Sequence, residues 1–446
     1  MGFALAGLCW CLSASGGPRP HELDRLNSEL TPIGALRAGS PEGTIPAWSG
    51  GLTSPPEGYQ AGDTHLDPFG AETPVMVIDA GNAAAFQTEL SPGHQSMLRN
   101  YPNTYALTIY PSHRTAAYPE RIYEMTARNG ATGTLTAAGE GVMGVAEGFP
   151  FPFPDNAREI IWNHKLRFRG TGGQRALDLA AVTAGGDFQP VRLTIETLSL
   201  YHQTGATLES TENRLLYLLQ TIDSPARLAG TLLLVHESLN QAAQPRSAWT
   251  YNPSQRRVIR APNVAYDNPA NAADGLVVSD MADMFNGAMD RFDWSLEGKR
   301  ELYVPYNAYR LHGADPGFDA IVQAGHLDPQ ALRYELHRVW VVEARLREGF
   351  RHIHPRRTYY LDEDSYQVLL AEHYDNQGRL WRFSEAHPVV FYEVPMLWTT
   401  LESHHDLQTR RFVSYRLNNE RGTPRFDLEI SPREFSPQAL RRKGRR

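Results

Sequence analysis

Apolar positions along the chain change their period near residue 187. Upstream, the spacing is helical in short stretches: Ile160, Ile161, His164 and Phe168 fall near one face of Asp155–Phe168, with Asp155 placed as an N-cap. Ser91-Pro92 reads as the cap and first residue of the second of two short helices within Asn82–Leu98, and further short helices are predicted at His21–Leu30 and Tyr118–Arg128. From about Asp187 the pattern turns to strands. They are predicted at 191–201, 214–221, 227–237, 247–251, 256–261 and 299–304, then at 334–346, 357–361, 366–374, 380–392, 399–407 and 411–417. Turn signals such as Asn252-Pro-Ser254, Asp362-Glu-Asp-Ser365 and Asp375-Asn-Gln-Gly378 separate consecutive strands, as antiparallel meanders require.

The expected fold is a β-rich α+β domain: a large curved antiparallel half-barrel covered by helices, because a sheet of that size must bury one face. Between Pro32 and Pro74 prolines and glycines are dense, but Trp48, Tyr59 and Phe69 recur as anchors. That composition predicts an irregular strap over the core rather than a free linker. The domain reading is therefore a strap over 16–80, one half-barrel domain over 81–440 and a basic tail at 441–446, solvated by default.

Composition changes this picture at the chain's start. Phe3–Leu12 is an uncharged apolar run followed by Ser13 and Ser15, which reads as a secretory signal over 1–15 with cleavage after Ser15. Both cysteines, Cys9 and Cys11, lie within it, so an exported chain has no disulfide framework and no thiolate metal site. No later run is long enough to span a bilayer. The product is expected in the periplasm or associated with the outer membrane. With 43 basic against 50 acidic residues, and five of the basic ones in the tail, a nucleic-acid partner is excluded for the body.

The familiar chemical motifs are absent or false. Gly139-Glu-Gly-Val-Met-Gly144 matches a dinucleotide fingerprint in letters only, because the proline-dense Phe149–Pro154 forbids the helix that must follow. No nucleophile elbow, zinc-protease helix or phosphate loop occurs, and no cofactor is expected. His352-x-His354 and His404-His405-Asp406 lack a third spaced ligand and read as loop and sheet-surface histidines, so no metal site is expected. Asp362-Glu-Asp364 reads as a solvated hairpin turn, and the Arg256-Arg257-x-x-Arg260 cluster as ion pairs to acids of neighbouring strands.

What remains is aromatic and apolar mass. A curved sheet too wide for its own side chains to fill leaves an apolar cavity. Met284, Phe285, Trp294, Tyr303, Trp340, Trp381 and Trp398 are the candidates for its walls and lid, with the Gly/Asp-rich insertion 274–293 as an adaptable cover.

Several strings carry a resemblance. Leu30–Gly39 with Gly43–Leu52, Tyr110–Pro119, Ile161–His164, Ala229–Glu237, Arg260–Pro269, Asp283–Gly287, Tyr303–Asn307 and Arg333–Trp340 resemble a proteobacterial envelope family of unknown function, DUF1329, usually labelled outer-membrane lipoprotein-sorting protein. The resemblance covers nearly all of the chain beyond the signal. It implies an architecture similar to the LolA and LolB carriers, and work beside transporters of the resistance-nodulation-division type that move hydrophobic compounds; it supplies no catalytic residue. The leading expectation is a periplasmic carrier of a lipid-like or other hydrophobic molecule. The alternatives are an envelope enzyme built from polar residues such as Tyr110, His113, Arg114 and Asp267, or a non-transporting interaction scaffold.

Overall fold

The computed structural model describes residues 19–444 apart from 263 and 427. The signal segment predicted over 1–15 and the last two residues of the basic tail lie outside the described residues.

Two meanders make one sheet. The earlier comprises β5 (Gly172–Val182), β6 (Val191–Ser199), β7 (Arg214–Ser224), β8 (Leu232–Ser238), β9 (Ser247–Asn252) and β10 (Arg257–Arg260). The later comprises β11 (Phe292–Pro305), β12 (Tyr334–Leu346), β13 (Arg356–Asp362), β14 (Val368–Tyr374), β15 (Leu380–Phe391), β16 (Met396–Asp406) and β17 (Arg411–Leu417). Pairing of β17 with β5, Phe412 opposite Val182 and Tyr415 opposite Leu179, joins them. Two short upstream strands, β1 (Met76–Ile78) and β2 (Leu107–Ile109), extend the sheet to 15 strands, with β2 touching β12 at Tyr334. A separate hairpin pairs β3 (Thr134–Leu135) with β4 (Val142–Met143), so the Gly139–Gly144 string is a hairpin loop. The large sheet stays open, a half-barrel with β10 and β11 far apart in its order.

Because residues opposite each other in register share a face, the sheet's two surfaces can be traced strand by strand. One face, called here the cavity face, runs from Arg357 and His373 through Arg382, His404 and Tyr415 to Leu179, Leu193, Ile195, Leu218 and Val235. It grades from polar to apolar across the molecule. The opposite face of the later meander is filled by α1 (Pro92–Asn100), whose Gly93 N–H donates to Glu372 at 2.8 Å and whose His94 meets Glu385 at 3.0 Å. On the earlier meander the opposite face is covered by α6 (Pro437–Lys443): Leu440, with Phe435, buries Leu198, Leu219, Leu232 and Leu234. Residues 441–443 of the basic tail thus sit in a docked helix, and the Lys443 ammonium lies 2.6 Å from Glu196.

Among the described residues the remaining α-helices are α2 (Glu120–Thr132), α3 (Ala157–Leu166) and the single turns α4 (Tyr309–His312) and α5 (Phe318–Ile321). α3 is capped by Asn156 rather than Asp155: Asn156 accepts from the Glu159 N–H at 3.1 Å, while the Glu159 carboxylate accepts from the Asp155 N–H at 2.8 Å. The strap is tied down by carbonyls. Arg114 donates to Leu36 O at 2.6 Å, and His65 is sandwiched between His312 and Glu393 at about 3 Å.

Three polar expectations are corrected. Asp362, Glu363 and Asp364 are buried, because Tyr306, Ser365, Arg338, Lys299 and Arg114 supply the donors that solvent would otherwise provide. His352, His354, His404 and His405 are likewise buried, enclosed between sheet faces and the segments packed on them. Arg256, Arg257 and Arg260 make no ion pair among the described residues and stand exposed at the edge strand β10, where charge hinders pairing with another chain.

Candidate functional site

The cavity face is covered by residues 264–286. The covering segment is fixed at its polar side: Arg382 donates to the carbonyls of Leu276 and Gly275 at 2.8 and 3.0 Å, and Asp280 takes Arg357 at 2.8 Å and His352 at 3.1 Å. Burial would raise the Asp280 carboxyl, but the Arg357 guanidinium and the hydrogen bond from His352 outweigh it and hold the group at about 2. Ala273, Leu276, Val277, Val278 and Met281 then pack on Leu177, Leu179, Leu193 and Ile195. Beyond that contact the cover and the sheet separate.

The space between them is a cavity of about 210 Å³. Its wall is Leu193 and Ile195 of β6, Leu216 and Leu218 of β7 and Leu233 and Val235 of β8; Leu216, Leu218 and Leu233 are only half-buried, so an apolar surface of the sheet is left partly uncovered. Sheet alternation accounts for the pattern. Each strand sends every second side chain to this face, and on these strands most of those positions are aliphatic, with Thr197, Gln220 and Glu237 set among them.

Charged groups gather at the other end, around Trp398. Arg175, opposite Ile195 in register, stacks its guanidinium over the Trp398 ring at 4.2 Å and donates to Thr399 O at 2.7 Å. Arg416 reaches the same place because β17 bulges there: its φ of 75° interrupts the ladder between Tyr415 and Leu417, and its guanidinium lies 2.7 Å from Glu402. Asp283 receives Arg167 at 2.7 Å, Arg169, and the Trp398 indole N–H at 3.2 Å. Burial raises the Asp283 carboxyl, but Arg167 and Arg169 outweigh it and hold the group far below the usual carboxylate range. Burial, reinforced by Arg416, pulls Arg175 down to about 9. A second charged pair on the wall, Glu237 with Arg246 at 2.6 Å, also ties the cover: Arg246 donates to the carbonyls of Val264 at 3.3 Å and of Asn286, and Glu237 accepts from Gln241 at 2.8 Å.

Of the residues singled out from the sequence, Trp398 borders this cavity. Met284 and Phe285 belong to the covering segment but point away from it, into the main core; Asp283 and Met284 both take left-handed backbone, with φ of 56° and 66°, and the chain reverses there. Phe285 meets Trp294 at 5.3 Å, and Trp294 stacks on Tyr359 while donating to Met289 O. Tyr303 packs beside Phe86, Trp340 lies under the Lys299 ammonium at 4.2 Å, and Trp381 donates to Asp406 at 3.0 Å. These do not line the cavity. Tyr110, His113 and Arg114 share a loop, and two of them meet one ion pair: Arg333 lies over the Tyr110 ring and pairs at 2.8 Å with Glu72, which holds His113 at 2.6 Å, while Arg114 is taken separately by Asp364 at 2.7 Å. Asp267 lies in the covering segment, accepting from the Ile353 N–H.

Arg169, Arg175, Asp283 and Arg416 were missed from the sequence. The readable signal was alternation in Arg175-x-Leu177-x-Leu179, an arginine continuing an aliphatic row. His337, Asp362 and Asp364 bring ligand-type atoms within 4.8 Å of one another, but Arg114 already occupies Asp364 and Glu335 faces His337 at 3.2 Å.

An open, curved antiparallel sheet with an amphipathic cavity under its own insertion defines the class of protein. Within that class the chain belongs to the family DUF1329, described as a protein of unknown function, whose model matches residues 77–441. It is 41% identical over 424 residues to an uncharacterized protein of Pseudomonas aeruginosa, covering 95% of this chain and 93% of that one. Among solved structures, a putative outer membrane lipoprotein-sorting protein domain from Vibrio parahaemolyticus aligns with 14% identity and a TM-score of 0.43 over 64% of this chain and 97% of that one. A DUF1329 family protein from Desulfovibrio piger aligns with 15% identity and a TM-score of 0.43 over 63% and 96%. A LolA superfamily protein from Nitrosomonas europaea gives 13% and 0.38 over 64% and 98%.

Proposed function

We propose that this protein is a periplasmic carrier or binding protein that shields a lipid-like or other hydrophobic molecule in the cavity beneath residues 264–286, and passes it to or from an envelope transport system. The observation that carries the reading is the uncovered aliphatic wall of β6, β7 and β8: a sheet that fills its other faces with α1 and α6 leaves this one partly unfilled. No bond is made or broken. Binding draws on burial of apolar surface at about 25 cal/mol per Å², so about 200 Å² of ligand contributes about 5 kcal/mol. The cavity is smaller than the roughly 300–1,000 Å³ of ordinary ligand sites, so a long chain enters when the covering segment lifts from Leu193 and Ile195. A transporter of the resistance-nodulation-division type or an outer-membrane partner is the proposed donor or acceptor. No helix among the described residues is long and apolar enough to cross a membrane.

The reading is tested by titrating the uncharged probe N-phenyl-1-naphthylamine into the protein. Saturable fluorescence enhancement is expected, and Leu218→Trp, which fills the cavity from a half-buried position, is expected to abolish it with the circular dichroism spectrum unchanged. Equal enhancement in both proteins would place the probe elsewhere and remove the cavity from the account.

A further inference from the structure

The charged end of the cavity has more guanidiniums than carboxylates. Arg167, Arg169, Arg175 and Arg416 converge there, against Asp283 and Glu402. Arg167 and Arg169 share Asp283, and Arg416 takes Glu402. Arg175 is left over: no carboxylate stands within ion-pair distance of it among the described residues, and its Nε and Nη1 have no hydrogen-bond partner, although the residue is 4% exposed. A buried cation without a counter-charge costs several kcal/mol, and stacking on Trp398 offsets only part of it. The side chain borders the cavity, and its Nε and Nη1, shielded from solvent in the closed structure, are left free to donate to a ligand admitted when the cover lifts.

The neighbours complete the pattern. Arg175 is directly opposite Ile195, which leads along the same face to Leu218 and Val235, while Leu177 and Leu193 form the adjacent row. A headgroup at Arg175 therefore has an aliphatic track beginning at its own strand. We infer that the cavity binds a single-chain amphiphile with an anionic headgroup, carboxylate or phosphate, received by Arg175 with Arg416 and Arg169 beside it, its chain lying on Ile195, Leu193 and Leu218. This rests on the carrier reading and specifies its cargo. At about 30 Å³ per water-sized unit, the closed cavity takes roughly seven chain carbons, and longer chains emerge past half-buried Leu216 and Leu233.

Calorimetric titration of the full chain with decanoate, decyl phosphate and decanol tests the inference without any variant. An anionic ligand is expected to bind about tenfold or more tightly than decanol, the value of at least one charge-assisted hydrogen bond; which of the two anions leads identifies the headgroup. Arg175→Met is expected to bring the anion's affinity down to that of decanol while the melting temperature holds or rises, since an unpaired buried charge has been removed. A melting temperature lowered with the anion preference intact would make Arg175 a structural group and overturn its assignment. Equal affinities of decanoate, decyl phosphate and decanol for the unaltered protein would overturn the headgroup inference and leave the carrier reading standing. Failure of all three to bind would overturn both.

Discussion

Asp283 and Met284 are adjacent in the chain and serve opposite sides of the covering segment, one at the arginines of the cavity and one in the main core. Hydrophobic character alone pointed to Met284 and Phe285, whereas the residues that shape the charged end are polar, and a polar residue's burial is invisible until its partners are known. Arg175 illustrates this: its partner Trp398 was singled out from the sequence, but the two lie 223 positions apart with no local sign of contact. The same holds for Asp280, whose pairing with Arg357 and His352 spans distant segments. Asp280→Asn leaves Arg357 buried without its carboxylate, and a loss of about 3–5 kcal/mol is expected in urea unfolding at pH 7. A change within about 0.5 kcal/mol would mean that the tie does not hold the cover.

At the scale of elements, the strands from 191 onward were legible because β-branched and aromatic residues alternate between clear turn signals. β12 and β17 have the bounds that the pattern predicts. The strand that joins the meanders was missed, its alternation being outweighed by composition. β5 reads Gly-Gly-Gln-Arg-Ala-Leu-Asp-Leu-Ala-Ala-Val, rich in helix formers, and only its long-range pairing with β6 and β17 makes it a strand. The helix α1 was legible through its Ser91-Pro92 start, but its seat was not. Gly93 sits so close to the sheet that a Cβ would stand 2.0 Å from the Phe383 ring. Gly93→Ala is expected to cost about 1–3 kcal/mol by overpacking, measured by urea unfolding. An unaffected midpoint would show that the helix shifts freely on the sheet.

At the scale of the whole molecule, many histidines are held neutral by enclosure. Burial pulls His387 and His405 to about 4, well below the ordinary value near 6.5. The unfolded chain therefore binds protons on these groups that the native state refuses between about pH 6.5 and 4. Stability is full above that window and falls as pH drops through it, by up to about 1.4 kcal/mol per pH unit for each histidine. Urea midpoints at pH 7 and pH 5 check this, and a midpoint independent of pH over that range would contradict it. His387→Phe is expected to flatten part of the slope, because its ring nitrogens have no protein partner to lose.

The half-barrel and its cover follow from strand alternation. The cavity follows from a narrower fact, that the covering segment reaches the aliphatic wall of β5 and β6 but not all of β7 and β8. Native mass spectrometry of the protein purified from its own envelope, beside the Leu218→Trp variant prepared identically, tests this most directly. A stoichiometric hydrophobic adduct is expected on the unaltered protein, released by solvent extraction, and none on the variant. The same adduct on both, or a clean protein mass that stays unchanged after incubation with envelope lipids, would contradict it.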